Sequence, residues 1–191
     1  MPPLGGIFFE STLIFTMTCL LSPTHLNLTI QRLAHQLIES ENKLNEVVFI
    51  GIQPRGSLLA DRLMDVVQSL CSTDPIQYGL LDITFYRDDF REEIRVPAET
   101  RLMHSIEGKR VVLIDDVLYT GRTIRAALDA LQDFGRPRQV ELCVLVDRRF
   151  NRELPIQPDY FGVAIDTQST EKVRVDWQRS SVFVFGSGEK F

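Results

Sequence analysis

The segment Val111-Val-Leu-Ile-Asp-Asp-Val-Leu-Tyr-Thr-Gly-Arg-Thr123 constrains the fold of this chain more than any other. Val111 to Ile114 form an unbroken apolar run, which suits a strand covered on both faces, and such strands belong to parallel sheets packed between helices. Thr120, Gly121 and Thr123 then turn the chain out of the sheet, and apolar positions at helical spacing begin at Ile124. In an open α/β sheet, ligands bind beyond the carboxyl ends of the strands, where a helix N-terminus presents unpaired N–H groups to an anion. The loop offers such N–H groups, together with hydroxyls, to a phosphate. Asp115 and Asp116 cannot serve the same anion, because like charges repel; they suit sugar hydroxyls or a metal-bound polyphosphate. Acids followed by a small hydroxyl-bearing loop fit a phosphorylated sugar. The Gly-x-x-x-x-Gly-Lys pattern of nucleoside triphosphate hydrolases is missing here.

The rest of the chain repeats the strand, loop and helix order. Leu28, Ile30, Leu33, Ala34, Leu37 and Ile38 recur at helical spacing within an opening helix from Asn27 to Ser40. A buried strand is predicted over Val47–Ile52, a tight loop at Pro54-Arg55-Gly56, and a helix over Ser57–Leu70 with Leu58, Leu59, Leu63, Val66 and Val67 inward. A pyrophosphate needs backbone N–H groups brought close and a fixed cation, and Pro54-Arg55-Gly56 supplies both. Tyr78–Phe85 reads as a strand and Arg87–Arg101 as a charged excursion. The helix over Ile124–Phe134 turns Ile124, Ala127, Leu128, Leu131 and Phe134 to one side and stops at Gly135 and Pro137. Further strands are expected over Val140–Val146, Tyr160–Ile165, Val173–Trp177 and Val182–Phe185, with a loop over Arg148–Asp159. This alternation predicts an α/β fold: a mostly parallel twisted sheet with helices on both faces and right-handed crossovers.

With 191 residues and 44% hydrophobic content, the chain can bury one sizeable core. A net charge of −5 excludes bulk electrostatic attraction to nucleic acid but permits a local basic patch. Cys19, Cys71 and Cys143 are odd in number and lack zinc-ligand spacing, which reads as buried thiols in a reducing compartment. Leu4 to Leu21 is largely apolar, yet the first basic side chain is Arg32 and Glu10 interrupts the run, so it suits neither a signal peptide nor a membrane span. The expected organisation is an N-terminal extension over 1–16 and a single domain over 17–191.

The 111–123 segment resembles the phosphoribosyl diphosphate (PRPP) signature of the type I phosphoribosyltransferases. That resemblance implies that Asp115 and Asp116 hold the ribose hydroxyls. It implies too that the loop Thr120, Gly121, Arg122 and Thr123 wraps the 5′-phosphate, that Val117, Leu118 and Tyr119 before it belong to the same PRPP-binding stretch, and that Pro54 and Arg55 lie in the pyrophosphate loop. Leu81-Asp-Ile-Thr-Phe-Tyr-Arg-Asp-Asp-Phe90 would begin a mobile loop that closes over PRPP, with Arg87 facing the leaving pyrophosphate. Adding Val144-Leu-Val-Asp-Arg-Arg-Phe-Asn-Arg-Glu-Leu-Pro-Ile-Gln-Pro-Asp-Tyr160, the chain resembles the PyrR family of bifunctional pyrimidine operon attenuation proteins and uracil phosphoribosyltransferases, from about Leu28 to Trp177.

The likeness implies the type I fold with a small hood of short strands, and formation of UMP and pyrophosphate from uracil and PRPP. Arg87 and Asp116 are its implied catalytic residues, and Asp147, Arg148 and Val173 its implied base-binding hood. Mg²⁺ would arrive with PRPP rather than on a dedicated protein site. Other implied partners are UMP and the leader mRNA of a pyrimidine operon, the RNA through Arg32, His35 and Arg152. A homo-oligomer in the cytoplasm, with no membrane partner, is expected. The sequence departs from the family at Gln157 and Val163, which are neutral where basic side chains are common, and by one extra residue within Arg148-Arg-Phe-Asn-Arg152. Two other functions stay open: a UMP-sensing RNA-binding regulator without turnover, and a purine phosphoribosyltransferase.

Overall fold

The structure, a computed structural model, describes residues 17–39, 44–71, 75–88 and 97–186. In chain order these form β1 (Met17–Leu21), α1 (Pro23–Glu39), β2 (Val47–Ile52), α2 (Arg55–Leu70), β3 (Gln77–Leu81), β4 (Arg110–Leu118), α3 (Arg122–Leu131), β5 (Gln139–Arg149), β6 (Tyr160–Asp166), β7 (Lys172–Asp176) and β8 (Ser181–Phe185). Strands β3-β2-β4-β5-β6 make a parallel sheet, with Val48 opposite Val111 and Val111 opposite Val140. A second, antiparallel sheet, β1-β8-β7, is the hood.

Strand side chains alternate between faces, and both faces here are apolar. Val47 and Phe49 of β2, Val112 and Ile114 of β4, and Cys143 and Leu145 of β5 pack with Leu26, Leu33 and Leu37 of α1 and Leu59, Leu63 and Val67 of α2. Their alternates, Val48, Ile50, Val111, Leu113, Leu142 and Val144, pack with Ile124, Ala127 and Leu131 of α3. Each fully buried Val, Leu, Ile or Phe contributes about 1.5–3 kcal/mol, so the sheet is held chiefly by these two layers.

Several boundaries move for local physical reasons. Helix α1 begins at Pro23, four residues before the expected Asn27: Ser22 caps it, its Oγ accepting from His25 N at 3.4 Å, and proline is pre-set for the first helical position. Leu28, Leu58, Leu128 and Phe134 were expected inward and are exposed, since the buried stripes run through Leu26–Ile30–Leu33–Leu37, Leu59–Leu63–Val67 and Ile124–Ala127–Leu131. Strand β3 stops at Leu81 because Asp82 accepts from Thr84 N at 3.2 Å and Thr84 Oγ1 at 2.7 Å, folding Thr84–Tyr86 into a 3₁₀ turn. Strands β4 and β5 run longer than their apolar cores, carrying Asp115, Asp116, Asp147 and Arg148 within the sheet. Tyr160–Asp166 is an edge strand of the main sheet.

The hood contains a strand that periodicity alone did not reveal, β1, paired so that Met17 faces Phe185. Val182 and Phe185 are buried there. Arg62 of α2 lies 4.9 Å over the Trp177 ring and donates to its carbonyl at 3.0 Å, tying hood to sheet. Of the thiols, only Cys143 is buried, and burial pushes it up to about 12; Cys19 is exposed and Cys71 half-buried, correcting the expectation of three buried thiols. Residues 1–16 and 89–96 lie outside the described residues, and with them the expected extension and the tip of the charged excursion. No helix among the described residues is long and apolar enough to cross a membrane.

Candidate active site

The site forms at the carboxyl ends of β2, β3, β4 and β5. The β2–α2 connection is short, and the Gln53–Pro54 peptide within it is cis. Gly56, in the first turn of α2, lies so close to β4 that a Cβ there would sit 2.4 Å from Ile114 O and 2.9 Å from Asp115 Cα. Any side chain would push α2 off the strand. Glycine thus lets Pro54 and Arg55 reach the strand end, where they line one cavity of about 630 Å³ together with Asp115, Asp116, Arg87, Asp82, Thr84, Arg148 and Val173.

Asp115 and Asp116 are both buried, at 6% and 5% exposure. Burial, followed by the charge of Asp116, raises the Asp115 carboxyl well above the usual carboxylate range, with Arg55 and Arg87 pulling the other way. Burial also raises Asp116, against the opposing pull of Arg55. Asp115 Oδ1 accepts from the Asp116 backbone N–H at 2.9 Å. Two neighbouring carboxyls in a cavity wall, each raised by burial, favour a ligand that brings hydroxyl donors or positive charge.

The loop beyond β4 is held by a left-handed residue. Gly121, at φ 95°, precedes α3, a backbone state that glycine adopts without steric cost. Tyr119 to Thr123, with Arg87, Asp115 and Glu153, line a second cavity of about 320 Å³. Arg87 Nη1 donates to Thr123 Oγ1 at 3.1 Å, so this cation sits where the two cavities meet. The predicted PRPP residues from Pro54 to Thr123 therefore all line one or both of two adjoining cavities.

Of the three residues expected in the hood, only Val173 lies there, on β7; Asp147 and Arg148 stand on β5 of the main sheet, because that strand runs on past its apolar core. Arg148 is buried, its guanidinium 3.9 Å from the Tyr119 ring; Nε donates to Thr167 Oγ1 at 2.9 Å and Nη2 to the Glu171 carbonyl at 2.8 Å. Arg148 and Val173 line the larger cavity. Asp147, one residue earlier on β5, turns to the other side, lining a separate cleft with Arg149 and Phe161 and pairing with Arg152. Period-two alternation places adjacent strand residues on opposite faces, so the structure does not bring Asp147 to the cavity that Arg148 and Val173 line.

Of the three expected RNA contacts, two are engaged within the chain. His35 is exposed on α1. Arg32 donates to the carbonyls of Phe161 at 3.3 Å and Gly162 at 2.5 Å, and Arg152 to Asp147 and to the Tyr119 carbonyl. Sequence reasoning missed Asp82. Besides holding Thr84, its Oδ2 accepts from Ala98 N at 3.2 Å and its own N–H donates to Thr100 Oγ1 at 3.0 Å, so it ties together both ends of the excursion. The Asp-x-Thr spacing was the available signal.

Among the described residues, no group of three or more His, Cys, Asp or Glu side chains is gathered as a metal cage. The two buried carboxylates with raised pKa fit a hard cation that brings most of its ligands as substrate phosphate and water, the mode Mg²⁺ favours.

Comparison with known proteins agrees with this geometry. The phosphoribosyl transferase domain family matches residues 23–179. The hypoxanthine phosphoribosyltransferase of Trypanosoma cruzi shares the fold with a TM-score of 0.67 at 18% identity, over 90% of this chain and 97% of that one. That of Staphylococcus aureus does so with a TM-score of 0.65 at 20% identity, over 90% and 92%. The fold is thus the type I phosphoribosyltransferase fold. Bifunctional protein PyrR of Synechocystis sp. is 46% identical over 82% of this chain and 87% of its own length. The PyrR proteins of Actinobacillus pleuropneumoniae serotype 5b and Elusimicrobium minutum are 49% and 47% identical, each over 78% of this chain and 84% of their own. With the signature loop, the acid pair and Arg148 in place around two adjoining cavities, the chain belongs to the PyrR family of phosphoribosyltransferase-domain proteins.

Proposed function

We propose that this protein transfers the ribose 5-phosphate group of PRPP to uracil, forming UMP and releasing pyrophosphate, in the cytoplasm. The observation that carries the reading is the convergence of Arg55, Arg87, Asp115, Asp116, Arg148 and Val173 on one cavity that meets the Tyr119–Thr123 loop. The 5′-phosphate sits against Thr120–Thr123 and the N-terminus of α3. Asp115 and Asp116 accept hydrogen bonds from the ribose hydroxyls. The base enters beneath the hood, between Arg148 and Val173.

Displacement at C1 of the ribose develops positive charge on the ring and negative charge on departing pyrophosphate, so the protein contributes chiefly by positioning and by electrostatics. Asp116 faces the ring charge; Arg55 and Arg87 face the leaving group. When bound, Mg²⁺ supplies charge neutralisation and a template for the pyrophosphate. No side chain is asked to act as a nucleophile.

Turnover of PRPP with uracil, hypoxanthine, guanine and orotate tests the assignment. Uracil is expected to be the preferred base; preference for hypoxanthine or guanine would reassign the chain as a purine enzyme. The regulatory half is UMP-dependent binding to pyrimidine operon leader RNA, by a homo-oligomer. Since Arg32 and Arg152 are engaged within their own chain, weak RNA affinity with a shallow salt dependence is expected. Filter binding with and without UMP measures it, and tight UMP-dependent binding without turnover would favour the purely regulatory reading.

A further inference from the structure

The segment after β5 lies as a strap along the phosphate loop. Arg152 Nη1 donates to the Tyr119 carbonyl, and Nη2 donates to Asp147 Oδ1. Glu153 N and Leu154 N both donate to the Thr120 carbonyl, at 3.0 and 3.2 Å. Glu153 Oε2 accepts from Arg122 Nε at 2.6 Å. Leu154 and Ile156 close over Gly121, within 3.4 and 3.3 Å of where a Cβ would stand.

These bonds set the direction of two peptide planes. In a trans peptide the N–H points opposite to the C=O. With the carbonyls of Tyr119 and Thr120 drawn to the strap, the N–H groups of Thr120 and Gly121 turn away from those bonds, and both residues line the 320 Å³ cavity. Successive N–H groups aimed into one concavity make an anion site. Asp147 neutralises the Arg152 guanidinium, the two side chains being 12% and 19% exposed, and thereby fixes it against the loop.

We infer that Arg152, held by Asp147, is a positioning residue that shapes the 5′-phosphate loop through the Tyr119 carbonyl. The inference rests on the reading of this loop as the phosphate half of the PRPP site. It gives a role to two residues that the sequence assigned elsewhere, Arg152 to RNA and Asp147 to the base. Neither touches the reacting atoms, so the strap acts on the affinity for the phosphorylated ligand and not on the base.

The test compares wild type, Arg152→Ala, Arg152→Lys and Asp147→Asn in the full chain. Calorimetry reads binding of PRPP and of ribose 5-phosphate, and steady-state kinetics read the KM of each substrate. Losing a hydrogen bond from a charged donor is worth roughly a tenfold change in affinity. Arg152→Ala is expected to weaken PRPP and ribose 5-phosphate by about that factor, to leave the KM for uracil unchanged, and to speed amide exchange at Thr120–Thr123 but not along β4. Arg152→Lys should restore most of the loss. Asp147→Asn preserves shape and should move the same quantities less, which keeps the test sound if Arg152→Ala fails to fold. Unchanged PRPP affinity in Arg152→Ala, or in Asp147→Asn where the former is unfolded, overturns the inference, as does an equal loss for uracil. A wild-type chain that binds neither PRPP nor ribose 5-phosphate overturns the parent reading and the inference together. Wild-type binding with no turnover of any base overturns the proposed activity alone.

Discussion

Strand β4 begins and ends in buried charge, and the two ends treat it differently. At its start Arg110 is met by Glu141 on β5, with Nε to Oε1 at 2.9 Å and Nη2 to Oε2 at 2.5 Å, and by the Tyr160 hydroxyl at 2.8 Å. At its end Asp115 and Asp116 lie side by side, and among the described residues neither has an ion-pair partner. Same strand, similar burial, opposite bookkeeping: Arg110 has its counter-charge within the fold, whereas the two carboxyls stand beside each other in a cavity wall. Buried charge that is paired and hydrogen-bonded serves the structure, and buried charge left in mutual repulsion marks a site.

The comparison can be broken at either end. The largest expected effect is at the paired end, where Glu141→Ala leaves Arg110 uncompensated; loss of one partner of a buried pair costs about 3–5 kcal/mol. Chemical denaturation should show that loss, while the KM for PRPP of the surviving folded protein stays near wild type. At the ligand end, Asp115→Asn with Asp116→Asn should cut turnover by about 10²–10³-fold or more and leave circular dichroism unchanged. Full activity in that double variant would refute the site. Arg87→Ala should lower kcat by about tenfold, the scale of one charged hydrogen bond, with less change in uracil binding; an unchanged kcat removes it from catalysis.

The smallest effect is on pH dependence and carries the sign that separates the two ends. The carboxyls of Asp115 and Asp116 are raised by folding, so the native state holds their protons more tightly than the unfolded chain. Their contribution to stability is full below the ordinary carboxylate pKa and is lost as pH rises through the raised values. The double Asn variant lacks that loss. Its melting temperature without ligand should therefore exceed that of wild type at neutral pH, by about 2–4 °C for each kcal/mol relieved, with the gap closing in acid. A gap that is absent at neutral pH would mean that the acid pair is not strained.

Much of this was legible before any coordinates. Val47–Ile52 matched its strand to the residue, and the parallel α/β plan followed from apolar runs alternating with helical patterns, because that signal lies within one short window. Elsewhere apolarity was a poor guide. It cut β4 short at Ile114 and β5 at Val146 because functional charges continue the strands. It also pointed Leu28 and Leu58 inward, since a helix with many leucines has more than one candidate stripe. For the site, Arg55, Arg87 and the acid pair came from motifs contiguous in sequence, and they share one cavity. Asp82 was passed over because its partners Ala98 and Thr100 lie across the excursion.

By itself, the sequence determined the β–α units, the acid pair at a strand end and the hydroxyl loop that follows, all encoded in spacings of a few residues. Tertiary structure alone decided which way neighbouring strand residues face and which distant groups meet. It turned Asp147 away from the cavity that Arg148 lines and gave it to Arg152, set Arg152 on the Tyr119 carbonyl 33 residues away, and recruited Met17–Leu21 into the hood beside Ser181–Phe185. The reason is that such pairings depend on sheet register and strand length, which are settled by the packing of the whole core and not by any local pattern.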